Sequence, residues 1–107
     1  MRWSQVLIAA VIGIVVASEQ SPGQEIGSVG RGRALAQQEC AQCHAVEKQQ
    51  VQSPNEDAPS FHELASTPGM NAMALSAALN TSHRSMPNLV LAPDEQSDIA
   101  AYIVSLK

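Results

Sequence analysis

Cys40, Cys43 and His44, in the run Cys40-Ala41-Gln42-Cys43-His44, are the residues of this chain whose types and spacing carry chemistry. Two thiols three positions apart at the end of a helix can reach the vinyl groups on neighbouring pyrroles of a haem. The next side chain, His44, then falls under the iron with a ring nitrogen free to ligate it. Three other readings compete for the same residues. A thioredoxin-like dithiol needs a βαβ context, and nothing in the chain alternates like a strand. A zinc site needs four ligands, so Cys40, Cys43 and His44 would have to be joined by His62 or His83. A disulfide between Cys40 and Cys43 would close a very short loop and contribute little. Covalent haem attachment uses all three residues and is the reading carried forward.

An iron held by His44 has a sixth position, for which the chain offers Met70, Met73, Met86, His62 and His83. Met73 falls in an apolar helical stripe, which predicts a core role, and Met70 follows Pro68-Gly69 as a packing residue between loop and helix. His62, between Phe61 and Glu63, reads as a surface side chain. Met86 lies in a loop 42 residues beyond His44, and Pro87 after it restricts the backbone to an extended form. A stiff loop offering a soft thioether suits a His/Met site, so Met86 is the expected ligand. His83 is near enough in sequence to contest the iron or to contact a propionate, although solvent exposure suits it better.

The elements that must position these groups read as helices. Ser28 can cap a first helix in which Val29, Ala36 and Cys40, with Leu35 beside them, recur near helical spacing. Gly30 and Gly32 each cost that helix about 1 kcal/mol relative to Ala, so their small size should be required. After a polar loop, residues 47–58 with Pro54, a short helix can begin at Pro59-Ser60 and carry Phe61, Leu64 and Ala65. Asn71 can cap a third helix with Met73, Leu75, Ala77 and Leu79. The loop of residues 81–91 holds Met86-Pro87. Pro93, Asp94 and Glu95 then open the best-patterned helix, with Ile99, Tyr102, Ile103 and Leu106 on one stripe and Lys107 at its end. The fold class expected is all-α, with three to five helices joined by long loops.

Composition sets the limits. The chain has 107 residues, enough for one small domain, and ten acidic against six basic side chains give a net charge of −4, which argues against a nucleic-acid partner. Thirteen of its 48 apolar residues lie in the first eighteen positions, which leaves 35 in the 89 residues that follow, about 39%. Such a thin core suits a domain that also encloses a prosthetic group. The apolar run at residues 6–17, after Arg2 and ending in small residues, reads as a secretory signal peptide covering residues 1–18. At about 1.5 Å per residue it reaches only about 18 Å, short of a ~30 Å hydrocarbon core. An uncleaved anchor with Trp3 at the interface is the alternative. Residues 19–27 then read as a flexible lead-in and residues 28–107 as the domain, periplasmic after export.

With these residues in place, the chain resembles the class I (mitochondrial-type and bacterial) cytochromes c over residues 28–107, most closely their small acidic bacterial members. Arg31-Gly32-Arg33 leading to Cys40-Ala41-Gln42-Cys43-His44 resembles the family's N-terminal helix and haem-attachment site. Residues 98–103 (DIAAYI) resemble its C-terminal helix, and Met86-Pro87-Asn88 its distal loop. The resemblance implies that the terminal helices cross, with Tyr102 packed over Gly32. It implies that a loop proline carbonyl, Pro54 before Pro59, accepts from His44, and that Ala36 or Leu35 stands where the family has an aromatic. One haem c, bound through Cys40 and Cys43 with His44 and Met86 as axial ligands, would make the protein a monomeric one-electron carrier between redox proteins and not an enzyme. A dedicated subunit of a larger dehydrogenase or oxidase, or a peroxidase-like haem enzyme, are the alternatives. Beyond the export segment the basic residues are Arg31, Arg33, Lys48, Arg84 and Lys107, too few for a lysine ring around a haem edge. Docking through apolar contact, or to a partner with a basic face, is expected instead.

Overall fold

A computed structural model describes residues 27–81, 83 and 85–107. The expected export segment, most of the lead-in and Arg84 lie outside the described residues. The described residues form four helices and no strand: α1, Val29–Glu39; α2, Phe61–Ser66; α3, Ala72–Leu79; and α4, Pro93–Val104. This is a small all-α arrangement in which α4 packs on each of the other three helices.

Local chemistry sets three of the four starts. The Ser28 side chain accepts from the Arg31 N–H. Ser60 and Glu63 exchange bonds in a capping box, and Asn71 accepts from the Ala74 N–H. Ala92 has no side-chain acceptor; there Pro93 opens α4 and the Glu95 carboxylate takes the Ala92 N–H at 2.9 Å.

The core gathers Ala36, Cys40, Val46, Phe61, Ala65, Leu75, Ile99, Tyr102, Ile103 and Leu106, so the expected stripe of α4 is buried. Helices α1 and α4 meet at Gly32, where a Cβ would collide with the Asp98 carbonyl oxygen and stand 2.9 Å from Tyr102 Cβ. Gly27 approaches the Ser97 backbone just as closely, so packing begins ahead of α1. Beside this crossing the buried Asp98 carboxylate accepts from the Ser28 N–H at 2.6 Å and from Arg31 Nε at 2.9 Å. The Arg31 guanidinium, then the Ser28 N–H, hold the Asp98 carboxyl below the usual carboxylate range.

Two sequence expectations fail. Open space surrounds the Cβ direction of Gly30, so no neighbour requires its size. Met73 is 76% exposed instead of buried. Every residue of α3 except Ser76 is apolar, so its periodicity could not select a face, and tertiary packing chose Leu75 for the core.

Candidate functional site: a haem-attachment turn

The chain leaves α1 through one more turn of helical hydrogen bonding. Cys40 N–H donates to Ala36 O at 2.9 Å, and His44 N–H donates to Cys40 O at 2.9 Å. Positions 40, 43 and 44 are thereby spaced as i, i+3 and i+4 and share one side of the turn. Cys40 and Cys43 are free thiols, Cys40 buried and Cys43 half-buried. Burial, and secondarily the charge of Glu39, push the Cys40 thiol up to about 11.

His44 is oriented from behind. Its Nδ1 lies 2.7 Å from the carbonyl oxygen of Pro59, an atom that can only accept, so Nδ1 is the donor and Nε2 is the ring nitrogen left to ligate. Phe61 packs against the imidazole with ring centroids 5.5 Å apart, and Tyr102 packs edge-on to Phe61 at 6.4 Å. The acceptor is therefore Pro59 and not Pro54. The connection from the cysteine turn is pinned by Asn55 N–H to Cys43 O at 3.1 Å and by Phe61 N–H to Ala45 O at 2.9 Å. That second bond brings the residues just before α2 alongside the attachment turn, with Pro59 among them.

The same connection is tied to α4. Tyr102 Oη donates to Val46 O at 2.6 Å. Beside it Glu47 accepts from Gln37 at 2.6 Å and from Arg33 at 3.2 Å, and these two bonds, Gln37 first, lower its pKa. Burial, then the charge of Glu47, raise that of Tyr102.

The cytochrome c family model matches residues 29–107, the stretch that holds all four helices and the cysteine turn. The chain belongs to the class I cytochromes c. A cytochrome c-552 of Bradyrhizobium diazoefficiens is 34% identical over 94 residues, which span 88% of this chain and 89% of the relative. No solved structure gives a significant match. This cytochrome is an electron carrier whose cofactor is haem c, and the described residues fit that group. They provide two unpaired thiols at haem-attachment spacing and an imidazole whose outer nitrogen is held by a carbonyl while its inner one is free. No three His, Cys, Asp or Glu among the described residues converge as a metal-binding set, so a zinc site made of protein donors has no support there.

The other sequence-designated candidates separate by exposure. Met86 is half-buried in the loop between α3 and α4, His83 is exposed, and Met70 packs against the core. His62 is exposed as expected, yet its Nδ1 lies 2.9 Å from Leu106 O and links α2 to the chain end. Where the family has an aromatic in the first helix, Ala36 is fully buried and Leu35 half-buried. One feature that sequence reasoning missed is Ser85, whose φ of 67° places a residue other than glycine in the left-handed region directly before Met86. Serine carries no strong signal for that conformation.

Proposed function

We propose that this cytochrome is an exported, periplasmic monohaem carrier whose haem is bound through Cys40 and Cys43, with His44 and Met86 as the axial ligands. The observation that carries the reading is the His44 Nδ1 to Pro59 O hydrogen bond beside two free cysteines on one turn. Such a bond fixes the tautomer, aims Nε2 away from the loop and raises the basicity of the ligating nitrogen. When bound, the haem supplies a one-electron couple, its iron changing between the ferric and ferrous forms. The chain's own work is to hold the group, exclude water and keep both axial ligands in place. Phe61, Tyr102 and Leu75 belong to the buried apolar core of the domain, and Met86 would contribute a thioether; an apolar interior and a thioether ligand both favour the ferrous form and raise the potential.

Residues 1–18 act in this reading as the export signal and residues 19–27 as the lead-in to the domain. No helix among the described residues is long and apolar enough to cross a membrane. The mature chain works as a monomer that meets its donor and acceptor transiently. With both axial positions taken by side chains it has no open site for a substrate, which separates a carrier from a peroxidase-like enzyme.

The test is spectroscopic. Protein exported with haem-attachment machinery intact should retain its haem in acidified organic solvent. The ferric form should show the weak near-infrared band of sulfur ligation. Met86→Ala should abolish that band, lower the reduction potential and admit exogenous ligands, whereas Met70→Leu and Met73→Leu should leave the spectrum intact. Extractable haem would overturn the attachment. A near-infrared band absent from the wild type, together with a spectrum that Met86→Ala leaves unchanged, would overturn the ligand and move the assignment to His83.

A further inference from the structure

The two residues that follow His44 are buried, although their backbone belongs to no helix: Ala45 is 0% and Val46 3% exposed. Regular helical bonding cannot satisfy their peptide groups, so partners must come from elsewhere. Ala45 N–H donates to Ser53 Oγ at 2.9 Å, and Ala45 O accepts from Phe61 N–H at 2.9 Å. Val46 N–H donates to Gln50 Oε1 at 3.0 Å, which also takes the Glu47 N–H at 3.0 Å, and Val46 O accepts from Tyr102 Oη at 2.6 Å. Of the two side-chain acceptors, Gln50 closes only a local turn, in which its own N–H donates to Glu47 O at 3.1 Å. Ser53 reaches further. Half-buried and next to Pro54, it joins the backbone immediately after His44 to the connection that leads to Pro59.

We propose that Ser53 is a positioning residue for His44: its hydroxyl fixes the peptide that joins His44 to Ala45, and with it the seating of the imidazole against the Pro59 carbonyl. The proposal rests on the reading of His44 as an axial ligand. A peptide is planar, so the Ala45 N–H and the His44 carbonyl turn together, and holding that N–H at Ser53 Oγ restricts ψ of His44. The Phe61 N–H bond to Ala45 O restrains the next peptide plane in the same way. Ala45 is therefore held on both sides by one stretch of chain, residues 53–61, and Pro59 lies inside that stretch. The Asn55 N–H bond to Cys43 O ties the same stretch to the residue before His44. The 2.7 Å contact of His44 Nδ1 with Pro59 O is thus one member of a closed circuit of bonds, in which Ser53 holds the peptide attached directly to the histidine. Without the hydroxyl, the buried Ala45 N–H loses its partner, and the peptide must turn or admit water to recover one. Either change moves the His44 Cα–Cβ bond relative to Pro59 O and weakens the contact that keeps Nε2 basic. A less basic nitrogen stabilises ferric iron less, so the potential rises.

The experiment compares wild-type holoprotein with Ser53→Ala, Ser53→Thr and Gln50→Ala. Heteronuclear NMR of the nitrogen-labelled ferrous form reads the His44 ring: whether Nε2 is bound to iron, where the Nδ1 proton resonates and how fast it exchanges with water. Redox titration gives the potential, and urea unfolding gives global stability. Ser53→Ala should speed exchange of the Nδ1 proton by about fivefold to a hundredfold, the range for one buried hydrogen bond left unmade. It should also move that resonance upfield and raise the potential. Ser53→Thr keeps the hydroxyl and should restore all three. Gln50→Ala removes two bonds from the same segment but none to the stretch holding Pro59, so it should lower urea stability and leave exchange, resonance and potential at wild-type values. Wild-type values for all three in Ser53→Ala, with Nε2 bound to iron in the wild type, would overturn the positioning role and leave His44 as the ligand. Equal changes in Ser53→Ala and Gln50→Ala would overturn it too, because they would report general loosening of the segment. A wild-type ring whose Nε2 is not bound to iron would overturn the ligand, and the proposal with it.

Discussion

Two glycines of α1 are expected to respond in opposite directions to the same substitution. Alanine gains up to about 1 kcal/mol over glycine in a helix, and Gly30, whose Cβ direction meets no atom within 4 Å, should realise about 0.5–1 kcal/mol of it. At Gly32 the added methyl collides with the Asp98 carbonyl oxygen, which belongs to the α4 backbone and cannot rotate away, and it stands 2.9 Å from Tyr102 Cβ. Relief requires the two helices to move apart. Overpacking of this kind costs about 1–3 kcal/mol. Moving α4 also stretches the 2.6 Å Tyr102 Oη to Val46 O bond, worth about a further 1 kcal/mol. After subtracting the helix-propensity gain, Gly32→Ala should lose about 1–3 kcal/mol. The assay is urea unfolding of both holoproteins followed by far-ultraviolet circular dichroism, with Tm as a second readout at about 4–8 °C per kcal/mol. A Gly32→Ala protein as stable as the wild type, or a Gly30→Ala protein that loses as much as Gly32→Ala, would refute the close crossing.

Other outcomes follow from the same contacts. Tyr102→Phe removes the partner of a buried carbonyl and should cost about 1–3 kcal/mol, read from urea unfolding. Asp98 has a folded-state pKa below its unfolded value, so its contribution is fully present above about pH 4 and disappears as pH falls through the lower folded value. Asp98→Asn should therefore be less stable at pH 7 and should show a flatter acid limb when stability is followed from pH 6 to pH 2. The raised pKa of Tyr102 has the opposite sign: its contribution is present below about pH 10 and is lost as pH rises through the folded value, which a Tyr102→Phe alkaline titration should no longer show. With ten acidic and six basic residues in the sequence, electron transfer at low salt should be faster to a partner with a basic face than to an acidic one. The gap should narrow as the Debye length shrinks from about 30 Å at 0.01 M to about 8 Å at 0.15 M; fast, steeply salt-sensitive transfer to the acidic partner would contradict it.

What the sequence made legible was whatever is encoded within a few residues. Ser28, Ser60 and Asn71 stand where the helices begin because a cap needs an oxygen two or three residues ahead of its donor. The α4 stripe was legible because polar residues on its other face leave one orientation for the core. The helix α3 has no such contrast, and Met73 was misplaced for that reason. Pro54 and Pro59 could not be separated by spacing, since only long-range closure of the connection, by bonds such as Phe61 N–H to Ala45 O, decides which carbonyl lies behind His44. Gly30 and Gly32 have the same helix cost, and only the partner helix tells them apart. Ala45 and Ser53 are ordinary residues eight positions apart whose relation exists only in the folded chain.

The crossing of α1 with α4 also sets an order of events during biosynthesis. Ser28 and Asp98, bonded through backbone N–H and carboxylate, are 70 residues apart, and closing a loop of that length costs about 4 kcal/mol in chain entropy beyond a constant. The cysteine turn follows α1 directly and is complete by His44, yet α4, which packs on the other three helices, comes from the last fifteen residues of the sequence. A chain still being synthesised therefore holds Cys40 and Cys43 before the α4 residues of the core that Cys40 joins exist. Until α4 is made, the core that Cys40 joins is incomplete, so the burial of this thiol waits for Ile99, Ile103 and Leu106.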